Sequence, residues 1–61
     1  MKLARFVIYP AKDGWRWFLQ ARNGRTLADS GEAYTTERDA MRAVATVRTG
    51  VAGAEVVHVR A

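Results

Sequence analysis

The stretch "WRWFLQARNGRTLADS", Trp15 to Ser30, sets two runs of mixed apolar and polar residues on either side of an Asn-Gly pair. A two-residue type I′ turn needs positive φ at both central positions, and Asn23 and Gly24 are residues that tolerate it. The pair predicts a hairpin in which Arg22 faces Arg25, Ala21 faces Thr26, Gln20 faces Leu27, Leu19 faces Ala28, Phe18 faces Asp29 and Trp17 faces Ser30. Side chains opposite one another share a face. One face then holds Trp15, Trp17, Leu19, Ala21 and Ala28, and the other holds Arg16, Phe18, Gln20, Arg22, Arg25 and Leu27.

Upstream, "ARFVIY" alternates as a first strand and is expected to stop at Pro10, which has no N–H for a continuing ladder. "PAKDG" is a turn-forming loop between strands one and two. Phe6 and Ile8 join the tryptophan face, and Arg5, Val7 and Tyr9 join the arginine face. Downstream, "SGEAY" breaks the third strand. Thr36, with Asp39 three residues on, reads as the N-cap of a helix running through "ERDAMRAVATVR". Ala40, Ala43, Val44 and Val47 fall on one side of that helix, and Arg38, Arg42 and Thr46 on the other. The small residues suit close packing against the tryptophan face. "TGVAGA" reads as a helix stop and linker, and "EVVHV" as a fourth, short strand. The expected fold is α+β, β-β-β-α-β: a three-stranded antiparallel sheet packed by one helix, with the short C-terminal strand pairing within the chain or across a dimer.

A chain of 61 residues accommodates one domain, spanning 1–61, and buries only about 60% of the surface its unfolded form exposes. Small domains make up the deficit with disulfides, a structural metal or association. There is no cysteine and a single histidine, His58, so disulfides are excluded and a metal staple is not expected. A homodimer is the remedy left. The chain lacks a stretch long and apolar enough to span a bilayer, and a cytoplasmic location is expected. The net charge of +4 biases the surface toward anionic partners.

Taken together, "FVIY", "GWRWFLQARNGRTLADSGEAYTTERDAMRAVATVR" and "AEVV" resemble the YegP-like domain, a family of unknown function, over Phe6 to Val57. The shared features are an aromatic-x-Ile-Tyr first strand, Trp-Arg-Trp-x-Leu in the second, the Asn-Gly turn, a Ser-Gly-Glu-x-Tyr corner, a helix and a closing Ala-x-Val-Val. Ala33 departs from the glycine usual in the corner, and Phe18 from the basic residue common on the outward side of strand two. The resemblance implies a domain that occurs as tandem or single repeats, the single form pairing with itself. It supplies no catalytic residues.

The corner Ser30, Gly31, Glu32 and Tyr34 offers a carboxylate beside hydroxyls, but no second acid, base or nucleophile completes a constellation. Its simpler reading is structural: a glycine conformation, side chains that satisfy amides, and a tyrosine that packs ahead of the helix. "TGVAGA" lacks the Lys-Ser/Thr of a phosphate-binding loop. The protein is expected to be a non-enzyme with no cofactor and no metal, acting as a homodimeric binding or scaffolding module. The candidate dimer strand is Glu55, Val56, Val57, His58 and Val59, placed for strand addition or exchange. The candidate binding face is Arg5, Tyr9, Arg16, Phe18, Gln20, Arg22 and Arg25. Nucleic acid is the alternative partner for that face, through guanidiniums on phosphates and aromatics on unpaired bases. The layout of three strands and one helix is also similar to plant AP-two-type and integrase arm-binding domains, whose sheets enter the major groove; that similarity concerns the fold alone.

Overall fold

Two alternating strands joined by a two-residue turn, and a third returning through a Gly-containing loop, make one open sheet. In the computed structural model, which describes residues 4–59, these are β1 (Ala4–Ala11), β2 (Gly14–Ala21) and β3 (Thr26–Asp29). They are ordered β1-β2-β3 and antiparallel throughout. The helix α1 (Glu37–Gly50) follows, and a single 3-10 turn, Val51–Gly53, extends it. The α+β class and the order of strands and helix are as the sequence predicts.

The split of side chains between two faces also holds. Ile8 pairs with Trp17 and Phe6 with Leu19 in the β1–β2 ladder, while Tyr9 pairs with Arg16 and Arg5 with Gln20. Phe6 meets Trp17 edge to face on one side, and Tyr9 meets Phe18 in the same manner on the other. Strand β1 does not stop at Pro10 but runs on to Ala11, opposite Gly14. Pro10 is tolerated there because β1 is an edge strand whose outer side carries no ladder.

The β2–β3 hairpin departs from the predicted turn. Asn23 does not have positive φ; Gly24 alone does, at +93°. The Gly24 N–H donates to Ala21 O, and the Ala21 N–H donates to Arg25 O. The loop therefore has three residues, Arg22, Asn23 and Gly24, in the pattern of a β-turn closed by a glycine. Asn23 contributes differently: its Oδ1 accepts the Arg25 N–H. Ala21 stands opposite Arg25, and Gln20 pairs with Thr26 instead of Leu27. A bulge between Leu19 and Gln20 then leaves Leu27 without a partner and restores the expected Leu19–Ala28 and Phe18–Asp29 pairs. The extra loop residue and the bulge offset one another, so the far end of the hairpin sits in the predicted register.

Helix α1 begins as its cap predicts: the Asp39 N–H donates to Thr36 Oγ1 at 3.1 Å. Its inward side is Ala40, completely buried, followed by half-buried Ala43, Val44 and Val47. It packs on β1 and β2 and leaves β3 uncovered, so Ala28, expected beneath the helix, is exposed. The segment read as a helix stop does end α1, at Gly50, but without a left-handed cap. Gly50 and Val51 both keep right-handed helical dihedrals, and a 3-10 turn, Val51–Gly53, follows before the chain extends at Ala54. Among the described residues, residues 54–59 join no strand ladder, which corrects the expectation of a fourth strand formed inside one copy.

Candidate interaction surfaces

The inward side of the sheet makes a thin core. Among the described residues only Trp17 (6% exposed) and Ala40 are fully buried hydrophobics. Ala40 has no side chain beyond Cβ and lets the helix come down close to the sheet. Toward its C-terminal end the helix stands away from β1, and a crevice of about 740 Å³ opens there. Phe6, Ile8 and Leu19 line it from the sheet, and Val44, Val47 and Val51 from the helix. Beside it runs the unpaired outer edge of β1. The indole Nε1 of Trp17, buried in this layer, has no hydrogen-bond acceptor among the described residues.

The candidate dimer strand lies outside that crevice. Val56, Val57 and Val59 are 79%, 70% and 91% exposed, and Glu55 and His58 are exposed beside them. Three valines within five residues, all facing water, are an apolar surface that nothing covers among the described residues.

The corner after β3 is built by backbone needs. Gly31 has φ +70°, and its N–H donates to Asp29 Oδ1. Ser30 Oγ accepts the Trp17 N–H at 3.4 Å and donates to Glu32 O at 2.8 Å. Tyr34 exchanges two backbone hydrogen bonds with Trp15, at 2.7 and 2.8 Å. Gly14 is the residue that permits this closure, a role its place in the loop motif did not reveal. A Cβ there would lie 2.5 Å from Tyr34 O.

On the outward side the structure brings most of the candidate binding face together. Three successive rungs carry Arg5 with Gln20, Val7 with Phe18, and Tyr9 with Arg16. Tyr9 and Phe18 form an edge-to-face pair with centroids 5.7 Å apart. The arginines differ from one another. Arg16 is held by Asp13 through two hydrogen bonds, Nε to Oδ1 at 3.2 Å and Nη2 to Oδ2 at 2.6 Å. Those bonds hold the Asp13 carboxyl below the ordinary carboxylate range and raise the Arg16 guanidinium, both at an exposed site. Arg5 donates only its Nε, to Gln20 Oε1 at 3.0 Å. Gln20 Nε2 donates in turn to Gly24 O. Arg22 sits in the loop, and with Arg5, Gln20 and Gly24 it borders an open pocket of about 440 Å³. Arg22 and Arg25 are exposed, but the three-residue loop separates them from the direct pairing expected. Sequence reading did not identify Asp13 as the partner that occupies Arg16.

The sequence pattern of the family described as "Domain of unknown function (DUF1508)" matches residues 11–57. The chain belongs to the DUF1508 family. This is the YegP-like family that the aromatic strands and the Asn-Gly hairpin resemble. A DUF1508 domain carries no assigned catalytic activity with it. The fold is similar to a solved structure described as "NMR solution structure of the protein from Haloferax volcanii". That chain is 33% identical, with a TM-score of 0.85, and the match covers 97% of this DUF1508 domain and 100% of its neighbour. No curated protein matches the domain. Among the described residues, no helix is long and apolar enough to cross a membrane.

Proposed function

We propose that this DUF1508 domain is a non-catalytic, homodimeric binding or scaffolding module, completed when each copy lays its Glu55–Val59 segment along β1 of the other. The observation that carries the reading is the match between an open crevice and an unused strand. The crevice has a mainly apolar lining, with Arg5 and Arg48 at its border, and a strand edge unpaired among the described residues, and the segment has three exposed valines. Strand addition supplies main-chain hydrogen bonds to such an edge, while alternate side chains fill the groove beneath. A second copy is the occupant that fits, because the segment after Gly53 is extended and exposed and joins no ladder among the described residues of its own chain. Alternation puts Val57 and Val59 on one face of the added strand and Val56 and His58 on the other.

Sedimentation of the full chain beside one ending at Thr49, and beside a full-length Val57→Asp variant, tests this. A dimer is expected for the full chain, with dissociation or loss of folding on truncation and dissociation in the variant. Three folded monomers would end the proposal.

A second reading, nucleic-acid binding on the outward face, is favoured by one observation. Arg5 is oriented through its Nε alone, which leaves both terminal nitrogens for an anion. Pairing along the β1 edge leaves Tyr9, Phe18 and Arg22 of that face open, while Arg5 borders both the outward pocket and the crevice.

A further inference from the structure

Resting on the nucleic-acid reading of the outward face, we propose that its ligand is a single strand, with one phosphate at the Arg5–Arg22 pocket and an unpaired base on the Tyr9–Phe18 pair. Four observations carry this. First, the Arg5 guanidinium is held in place: Gln20 Oε1 accepts its Nε, and Gln20 is itself fixed by a hydrogen bond to Gly24 O. An arginine held side-on in this way presents its outer edge, the one that grips phosphate oxygens. Second, Arg22 and Arg5 border one open pocket, so two cationic residues lie beside the same space. Third, the rung Val7–Phe18 and the rung Tyr9–Arg16 follow directly along the strands. An aromatic pair therefore lies one to two rungs, about 7–14 Å, from the pocket. Fourth, the arginines of the face are unequal, although exposed Lys12 lies in the turn at the far end. At that end Asp13 occupies Arg16, and on the β3 flank Asp29 stands opposite Phe18.

That last asymmetry selects the partner. A duplex presents two phosphate rails and stacks its base faces out of reach, leaving only base edges in the grooves, so a sheet entering a groove is served by cations on both flanks. Here Asp29 stands beside the aromatic pair on the β3 flank and Asp13 engages Arg16, so the cations Lys12 and Arg25 lie at the corners and not along a second rail. A single strand offers one backbone and unpaired base faces, which matches one oriented cationic site beside one aromatic platform. The overall charge of +4 supports the encounter without specifying the site.

Fluorescence anisotropy on the full chain, with a short labelled oligothymidylate, a mixed-sequence duplex of equal length and a polyphosphate competitor, tests the proposal. The single strand is expected to bind most tightly. Phe18→Ala should weaken it about 5- to 150-fold, as expected for loss of one stacked base. Phe18→Leu, which keeps the apolar contact, should also lose the stacking increment and so separates recognition from folding. Arg5→Ala should reduce the salt slope by about 0.7, one single-strand phosphate contact. Equal affinity for duplex and single strand, with Phe18 variants unchanged, would overturn the single-strand assignment while leaving nucleic-acid binding standing. Polyphosphate binding as tightly as the oligonucleotide would reduce the face to a general anion surface and overturn the proposal. Absence of binding to either nucleic acid at low salt would remove both readings.

Discussion

The rings of Phe6 and Trp17 meet at 69° with centroids 5.6 Å apart, and this contact joins β1 to β2 at the centre of the layer that α1 covers. Trp17 is the larger of the two fully buried hydrophobics among the described residues. Aromatic truncation in a core typically costs about 3–5 kcal/mol, a large share of a small domain's stability. Trp17→Ala is expected to abolish cooperative urea unfolding. Phe6→Leu, which keeps most of the volume, is expected to lower the midpoint by an amount equivalent to about 1 kcal/mol.

Two glycines with positive φ should respond differently to alanine. Gly14 (φ +137°) meets Tyr34 O at 2.5 Å once a Cβ is added, whereas Gly24 (φ +93°) has open space around it. Gly24→Ala incurs only the backbone penalty, about 1–2 kcal/mol. Gly14→Ala adds a backbone clash and should break the Trp15–Tyr34 bridge. Thermal melts should rank wild type above Gly24→Ala, and Gly24→Ala above Gly14→Ala.

The helix cap makes a conservative test. Thr36→Ala removes the acceptor of the Asp39 N–H and should cost about 1 kcal/mol. Thr36→Ser keeps the oxygen and should restore most of that loss in the same denaturation experiment.

Asp13 links pH to charge on the outward face. Its hydrogen bonds to Arg16 lower its folded-state pKa, so its contribution to stability is present above the unfolded value of about 3.9 and is lost as pH falls through the folded one. The site is exposed, so the contribution is small. Urea midpoints of the wild type should therefore decline slightly more below about pH 4 than those of Asp13→Asn. The same substitution releases Arg16, and at neutral pH it should strengthen oligonucleotide binding and steepen its salt dependence.

The assignment of residues to two faces was legible because strand alternation leaves little choice once Trp15, Trp17 and Leu19 share a parity. The helix was legible for a similar reason: Ala40, Ala43, Val44 and Val47 recur at helical spacing after a capping threonine. Turn geometry was not, because Asn-Gly fits both a two-residue turn and the glycine-closed three-residue loop that forms here. The choice between them depends on a bulge at Leu27 that local sequence does not mark. The helix end within "TGVAGA" was legible, but not its form: Gly50 retains helical dihedrals and a 3-10 turn follows, in place of the left-handed cap glycine often supplies. Of the outward face, alternation revealed the membership but not the pairing. That Asp13 occupies Arg16, and Gln20 orients Arg5, depends on side-chain reach across turns and strands.

The account turns on where the Glu55–Val59 segment goes. A sample mixing isotope-labelled and unlabelled copies, observed by isotope-filtered NOE spectroscopy, reads that directly. The account predicts NOEs between methyl groups of Val57 and Val59 in one copy and Phe6, Ile8 and Val47 of the other. Intermolecular NOEs absent from the mixed sample, with the valine methyls contacting only their own chain or solvent, would contradict it.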